Sequence, residues 1–328
     1  MENDTLDQTL EFGQKELEVS RRTALRTAAK LGLGSAAMLT ALKAGHMEDA
    51  LAAGRSEDLP KKGFHFVFVN HVTTNAFFTP CQSGAADACK LLGCTFQWTG
   101  SANSIVSEMT KAMQVAIAGK ADGIAVCIID KKAFDAPTNA AFAAGIPVIA
   151  YNADGSPTNT RLAYIGQDLL LSGVGMGQHI AALVGSGKVA LFIATPGSLN
   201  IQPRIDGARS VLAKTSGISL YPDIATGPLQ PAEATAVEAW WTGHQDVKGM
   251  FAVDQGTTQG IVQTIVKHGL RAKGVKCGGY DLPPALVQAV NNGTCDFTID
   301  QQPYLQGFYP VIQLYLYKLS GGLVGAEN

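Results

Sequence analysis

One stretch of the sequence, Phe64–Gly93, decides the fold class of this chain; it reads FHFVFVNHVTTNAFFTPCQSGAADACKLLG. Residues 64–69 have the apolar and aromatic side chains of a buried strand. Residues 77–92 then predict a helix that ends at Gly93, because glycine commonly follows the last turn of a helix. Units of strand and helix recur roughly every 25–30 residues after this stretch, as expected for right-handed crossovers between parallel strands.

The alternation of strands and helices divides the chain into two series. In the first, the opening strand is followed by predicted strands at 94–98, 122–129 and 146–151 and a helix at 103–118. The second series begins after residues 164–167 and has a predicted helix at 168–184 and strands near 188–194, 218–224, 248–253, 275–279 and 296–300. The sequence therefore predicts an α/β fold of two similar lobes, each a parallel sheet flanked by helices, hinged around a central cleft.

Two crossings of the chain set the predicted boundaries of the lobes. The N-terminal lobe is predicted to contain residues 63–165 plus 302–328, and the C-terminal lobe residues 166–301. The last helix, predicted at about 304–318, should return to the first lobe, because Gln301-Gln302-Pro303 has the character of a second crossing. Residues 53–62 are a predicted linker.

Length and composition favour a compact α/β protein. The chain has 328 residues, of which 46% are hydrophobic and 16% charged, and it contains 36 glycines. A length of this order is enough for two lobes that each bury a core. The net charge of -2 argues against a nucleic-acid partner, since such surfaces carry a clustered basic excess. No run reaches the roughly 18 apolar residues that a membrane-spanning helix needs.

The first 52 residues differ from the rest and predict an export signal. Arg21-Arg22 opens a moderately apolar stretch that runs to Leu42, and Ala50-Leu51-Ala52 has the small-x-small pattern of a cleavage site. This region resembles a twin-arginine signal. The departures are the acidic residues before Arg21 and Lys30 within the apolar stretch; the alternative is a surface helix that happens to carry two arginines.

Export would change how the six cysteines are interpreted. In an oxidising compartment an even number of cysteines permits disulfides, whereas in the cytosol the same residues would be buried thiols. The pairs Cys277–Cys295 and Cys89–Cys94 are candidates for bridges. Cys81 and Cys127 are expected to be buried free thiols.

Polar or aromatic residues follow several of the predicted strands. In an open α/β sheet, ligands bind outside the carboxyl ends of the strands, so these residues should converge on one crevice. They are Asn75, Phe77 and Phe78 after the first strand, Asn152 after residues 146–151, Asp254 after 248–253, Tyr280 and Asp281 after 275–279, and Gln301 after 296–300.

Motifs of catalytic, nucleotide and metal sites are weak or absent. Residues 32–37 match the letters of a dinucleotide fingerprint but lack a preceding strand. Gly185-Ser186-Gly187-Lys188 lacks the Ser or Thr that a phosphate loop places on magnesium. The six histidines lack the metalloprotease spacing, and no Gly-x-Ser-x-Gly elbow or Cys-x-x-Cys pair is present. No catalytic residue, cofactor or metal is therefore expected.

Five of these segments together resemble the type I periplasmic sugar-binding proteins of ABC importers, of which the ribose-binding protein is the best-known member. The resemblance covers residues 63 to about 320, with the segments in the family's order and spacing; they begin at Asn75, Gly145, Arg204, Phe251 and Gly278. The resemblance implies two lobes that close over one monosaccharide.

The resemblance also implies a set of ligand contacts. The rings of Phe77 and Phe78 would cover an apolar face of the sugar, and Tyr280 would stack on it. Six side chains end in planar polar groups that would each bind two neighbouring hydroxyl groups of the sugar. They are Asn75, Asn152, Arg204, Asp254, Asp281 and Gln301. Asn152 stands where relatives often have Asp, and Ala153 replaces an Arg of the ribose binder, which argues against ribose itself.

Several of these residues also have structural interpretations. Phe77 and Phe78 could belong to the core, and Arg204 could pair with Asp206 on the surface. Carboxylates that follow a strand often cap the next helix, which applies to Asp254 and Asp281.

The resemblance implies that the chain is an exported, monomeric solute-binding protein. It would capture a monosaccharide or sugar alcohol, close its lobes and deliver the ligand to an ABC permease. One alternative is the sugar-responsive core of a transcription regulator of the lac repressor type, which would need a helix-turn-helix within the first 60 residues. Another is an α/β enzyme, which would need an acid–base or nucleophile constellation.

Overall fold

The computed structural model describes residues 61–322. The predicted export signal and nearly all of the predicted linker lie outside these residues. Within residues 61–322 none of the helices combines the length and the apolar character that crossing a bilayer requires.

The first lobe is a five-stranded parallel sheet with the strand order β2-β1-β3-β4-β5. Its elements, in chain order, are β1 (His65–Asn70), a 3-10 helix (Ala76–Phe78), α1 (Thr79–Leu92), β2 (Thr95–Gly100), α2 (Val106–Ala118), β3 (Gly123–Val126), α3 (Asp135–Ala143), β4 (Val148–Tyr151) and β5 (Tyr164–Ile165). The central strands β1, β3 and β4 are almost completely buried, as expected for parallel strands covered by helices on both faces.

The second lobe is a six-stranded parallel sheet with the order β11-β10-β9-β6-β7, in which β8 also pairs with β6. Its elements are α4 (Leu169–Val184), β6 (Gly187–Ile193), α5 (Gln202–Leu212), β7 (Ile218–Leu220), β8 (Ile224–Ala225), α6 (Gln230–Thr242), β9 (Val247–Ala252), α7 (Gln255–Lys267), a 3-10 helix (Leu270–Lys273), β10 (Lys276–Tyr280), α8 (Pro284–Asn291) and β11 (Phe297–Ile299).

The last helix, α9 (Pro303–Leu319), packs on the first sheet. Its residues Val311, Leu314 and Tyr315 are fully buried in the apolar core of the first lobe. The pairing of α9 with α1 is so close that a Cβ on Gly307 would overlap the carbonyl oxygen of Cys81. The lobe boundaries at 165/166 and 301/302 stay a prediction.

Two of the differences between the predicted and the observed elements have a local reason. The predicted strand at 218–224 is divided into β7 and β8, and the gap between them contains Pro222, which has no N–H to donate to a ladder. The predicted helix at 103–118 begins only at Val106. The Ser101 hydroxyl oxygen accepts from the backbone N–H of Ile105 at 3.0 Å and shapes the preceding loop.

All six cysteines are free thiols. Cys81 and Cys127 are buried, as predicted. Neither candidate bridge is formed: the Cys277 thiol donates to the carbonyl oxygen of Thr294 at 3.3 Å, and the Cys295 thiol to that of Phe297 at 3.2 Å.

Candidate functional site

A cavity lined by residues of both lobes lies where the carboxyl ends of the strands of both sheets meet. Eight of the nine residues predicted from the sequence line it: Asn75, Phe77, Phe78, Asn152, Arg204, Asp254, Asp281 and Gln301. The convergence predicted from the strand ends is therefore observed, whereas the role of each side chain toward a ligand stays a prediction.

The first lobe supplies an apolar wall from the segment after β1. The side-chain oxygen of Asn75 accepts from the backbone N–H of Phe77 at 2.9 Å and so starts the short 3-10 helix. The rings of Phe77 and Phe78 lie edge to face, with centroids 4.7 Å apart, and Phe78 also packs against Trp98. Both rings belong to the core of the lobe and also face the cavity, so both interpretations of these residues hold.

Arg204 is the central polar side chain of the second lobe, and only 1% of its surface is exposed. Its guanidinium group donates to the carbonyl oxygen of Val253 at 2.9 Å, to Gln301 Oε1 at 2.8 Å and to Gln167 Oε1 at 3.1 Å. This arrangement is an internal network and not the surface ion pair with Asp206. The close packing of α5 on α4 sets the position of Arg204. The two helices are so close that a Cβ on Gly173 would overlap the Arg204 backbone.

Tyr280 does not line the cavity, which corrects the prediction that it stacks on a ligand. It is completely buried in the core of the second lobe, and its hydroxyl group is 2.7 Å from Ser172 Oγ. The guanidinium carbon of Arg204 lies 4.1 Å from the centre of its ring. Tyr280 therefore supports Arg204 from beneath by a cation–π contact.

Gln301 joins the two lobes through the crossing that precedes α9. Its Nε2 donates to Asp281 Oδ1 at 2.8 Å, while its Oε1 accepts from Arg204. In the first lobe, Asn152 Nδ2 donates to Gln306 Oε1 at 3.1 Å, and Gln306 Nε2 donates to the backbone carbonyl of Gln301 at 2.8 Å. One continuous hydrogen-bond network thus links the two halves of the cavity wall.

Asn152 and Asp281 both adopt a left-handed backbone conformation, with φ of 63° and 77°. Asn and Asp are the non-glycine residues that tolerate this conformation best, and residues held this way cluster at functional sites. Asn152 Oδ1 and Arg204 Nε are buried without a hydrogen-bond partner. Both residues line the cavity, so a polar ligand bound there would supply the missing hydrogen-bond partners of these two atoms.

Asp254 is both a helix cap and a cavity residue. Its Oδ1 accepts from the backbone N–H of Thr257 at 2.9 Å, at the start of α7, and its Oδ2 accepts from the N–H of Ala194 at 3.1 Å. Burial raises the pKa of Asp254, although these hydrogen bonds oppose the shift. Burial raises the pKa of Asp281 to about 7, against the influence of Arg204 and of the hydrogen bond from Gln301.

The strand-end reasoning missed His71, although it follows β1 directly. Its Nε2 lies 3.2 Å from Asn200 Nδ2 of the second lobe. Burial lowers the pKa of His71 to about 4, so the ring is neutral near pH 7. A second contact between the lobes joins the backbone N–H of Leu199 to the carbonyl oxygen of Ile129 at 3.0 Å. The two lobes therefore touch directly.

A second missed residue is Glu233, which lines the cavity from the first turn of α6. No rule about strand ends could have found it, because it lies on a helix. Among residues 61–322, no group of three or more His, Cys, Asp and Glu side chains is arranged to hold a metal ion.

A family model described as a periplasmic binding protein domain matches residues 66–321, which is well over half of the chain. The chain belongs to the periplasmic binding protein family. The two parallel sheets flanked by helices have the fold of this family, so the predicted two-lobed α/β class is confirmed.

One curated member of the family shares much of this sequence. The xylose/arabinose-binding protein XylF of Sulfolobus acidocaldarius is 46% identical over an alignment that covers 95% of this chain and 84% of that protein.

Solved structures of binding proteins share the fold. A solute-binding protein of an ABC transporter from Burkholderia graminis, in complex with D-arabinose, has a TM-score of 0.74 at 25% identity and covers 80% of this chain and 91% of its own. GanP, a glucose-galactose binding protein from Geobacillus stearothermophilus, has a TM-score of 0.72 at 23% identity and covers 81% of this chain and 94% of its own.

Proposed function

We propose that this periplasmic binding protein captures a small sugar, most specifically a pentose, and delivers it to an ABC transporter outside the cytoplasm. The observation that carries the proposal is the cavity between the lobes, where two phenyl rings face a network of planar polar groups. A sugar has alternating C–H patches and hydroxyl groups, which such a wall matches. The 46% identity with a xylose/arabinose-binding protein supports a pentose.

Each cavity residue has a role that follows from its contacts. Phe77 and Phe78 cover an apolar face of the sugar. Arg204 Nε donates to a hydroxyl oxygen, and Asn152 Oδ1 accepts from a hydroxyl group, because these two atoms lack a protein partner. Sugars without a hydroxyl group at these positions leave a buried polar atom unsatisfied, which costs about 1–3 kcal/mol.

The remaining four predicted residues complete the polar part of the wall. Asp254 and Asp281 accept from sugar hydroxyl groups, and Gln301 and Asn75 orient the ring of the sugar. Tyr280 acts only through Arg204, beneath which its ring lies.

Binding of the sugar leads to closure of the lobes. The contacts His71–Asn200 and Leu199–Ile129 join the two lobes directly, so we expect them to form only in the closed state. A sugar that contacts both walls favours this state, and the permease recognises the closed surface.

Export by a twin-arginine route, a monomeric state and the absence of enzymatic activity are parts of the same proposal. Arg21-Arg22 and the apolar stretch after it support the route. The regulator and enzyme alternatives have no specific observation in their favour among residues 61–322.

Calorimetric titration of the purified full chain with xylose, arabinose, ribose, glucose, galactose and xylitol tests the proposal. We expect saturable binding of one sugar per chain, with a pentose bound most tightly. Mass spectrometry of the protein as purified should identify the same pentose. An absence of binding to the whole panel, with no sugar in the purified protein, would refute the function.

A further inference from the structure

Glu233 is a buried carboxyl group inside the wall of the cavity. Only 2% of its surface is exposed, and its Oε2 has no hydrogen-bond partner. The residue lies on α6, whose first turn faces the start of α7. A buried polar atom without a partner requires an explanation, and its place in the cavity wall indicates that the explanation involves the ligand.

Gly256 leaves the space that this carboxyl group occupies. A Cβ on Gly256 would overlap Glu233 Oε2, so any larger residue at position 256 would displace it. Gly256 lies in the first turn of α7, directly after Asp254 and Gln255, and it also lines the cavity. The glycine thus leaves space for the Glu233 carboxyl group in the same cavity wall as Asp254.

Two carboxylates cannot lie together in a buried place unless a proton joins them. Burial raises the pKa of Glu233 to about 9, and the negative charge of Asp254 adds to the shift. The helix N-terminus favours a carboxylate, but this effect is smaller than that of burial beside a second carboxyl group. Asp254 keeps the negative charge, because it accepts from the N–H groups of Thr257 and Ala194.

We propose that Glu233 is a further ligand-recognition residue: its buried carboxyl group stays protonated in the same wall as Asp254, so that the two residues act as one singly charged hydrogen-bonding pair in the sugar site. The inference rests on the proposed function only for the nature of the ligand. A singly charged pair can accept hydrogen bonds from the hydroxyl groups of the sugar, and only one charge is then buried when the lobes close. A doubly charged pair would bury two uncompensated charges and would lose its donor.

The protonation of Glu233 is therefore sensitive to alkaline pH. Few other charged groups lie near the pair. Asp254 is the charged neighbour of Glu233 in this wall. The other titratable groups that line the cavity are His71, Arg204 and Asp281, all from other elements. Further along the contact between α6 and α7, Glu238 pairs with Lys267 and His268 on the surface.

Glu233→Gln is the first test, because the amide keeps the size of the side chain and a hydrogen-bond donor but cannot lose a proton. The dissociation constant of the pentose that the wild-type protein binds is measured at pH 8 and pH 10. In the wild type we expect it to rise roughly fivefold or more over this range, as Glu233 ionises. In Glu233→Gln it should stay within about twofold, because no proton is lost.

Glu238→Gln is the matched control, since it makes the same change on the same helix outside the cavity. This variant should retain the alkaline loss of affinity of the wild type. An unchanged wild-type affinity between pH 8 and pH 10, or an equal loss in Glu233→Gln, would overturn the proposal.

A measurement without ligand separates this inference from the proposed function. Infrared spectroscopy of the full-length wild-type protein detects the carbonyl band of a protonated carboxyl group. The band should persist at pH 8, above the range in which Asp281 titrates, and disappear by pH 10; Glu233→Gln should lack it at pH 8. Its absence from the wild type at pH 8 would overturn the inference, whereas a failure to bind any sugar would refute only the proposed function.

Discussion

Replacing Arg204 by Lys tests the centre of the proposed site while keeping its charge. The guanidinium group makes three hydrogen bonds, to Val253, Gln301 and Gln167, and its Nε remains for the ligand. An ammonium group is a single point donor on a flexible stem, so it cannot reproduce the planar fork or its contact with the Tyr280 ring.

The expected loss follows from one charged hydrogen bond to the sugar. Hydrogen bonds to charged groups contribute about 1.5–3 kcal/mol, so the dissociation constant should rise about 10- to 150-fold. Calorimetric titration with the pentose bound by the wild type measures the change. Circular dichroism of both proteins verifies that the fold is retained.

Arg209→Lys is the matched control on the same helix, α5. Arg209 is about one-third exposed and pairs with Asp223 on the surface, with Nε 2.8 Å from Oδ1. Its substitution should leave the affinity for the pentose unchanged. An affinity of Arg204→Lys within about twofold of the wild type, with an intact fold, would show that Arg204 does not contact the sugar.

Three further predictions concern stability, pH and closure. Asn152→Asp replaces the donor to Gln306 Oε1 by an acceptor, so urea denaturation should show a loss of about 1–3 kcal/mol; an unchanged midpoint would contradict this. Because the folded protein raises the pKa of Asp281 from 3.8 to about 7, the melting temperature of the ligand-free protein should fall as the pH rises from 5 to 7, and less steeply in Asp281→Asn. Asn200→Ala removes the contact with His71 across the cavity, so titration should show a dissociation constant raised about two- to tenfold. An equal affinity would mean that this contact does not stabilise closure.

The position of the site was accessible from the sequence because it depends on topology. Once the strands are parallel, the residues that follow them must meet at one edge of each sheet. Asp254, Asp281 and Gln301 are positioned in this way, and all three line the cavity. The deeper polar network that joins them could not be derived, because Gln167 and Gln306 contribute through tertiary packing that no local pattern encodes.

Glu233 and His71 show two different limits of the sequence reasoning. His71 is a polar residue that follows a predicted strand. The strand-end rule therefore selects it when the rule is applied to every such residue. Glu233 lies on a helix, and an exposed carboxylate is the ordinary expectation there. The structure instead buries it against Gly256, where a Cβ would overlap its Oε2.

The error about Tyr280 exposes a rule that both lobes follow. Tyr151-Asn152 ends β4 and Tyr280-Asp281 ends β10, and in each pair the second residue has a positive φ. Both tyrosine rings are completely buried, and their hydroxyl groups bond to Asn70 and Ser172 inside their own lobes.

The tyrosine in each pair anchors the end of the strand, and the left-handed residue after it directs a polar side chain into the cavity. In both lobes, therefore, the aromatic residue at the strand end belongs to the core, and the polar residue that follows lines the cavity. The repetition in both lobes has a physical origin. Each strand has to end abruptly at the cleft, and a buried aromatic followed by Asn or Asp supplies both the anchor and the turn.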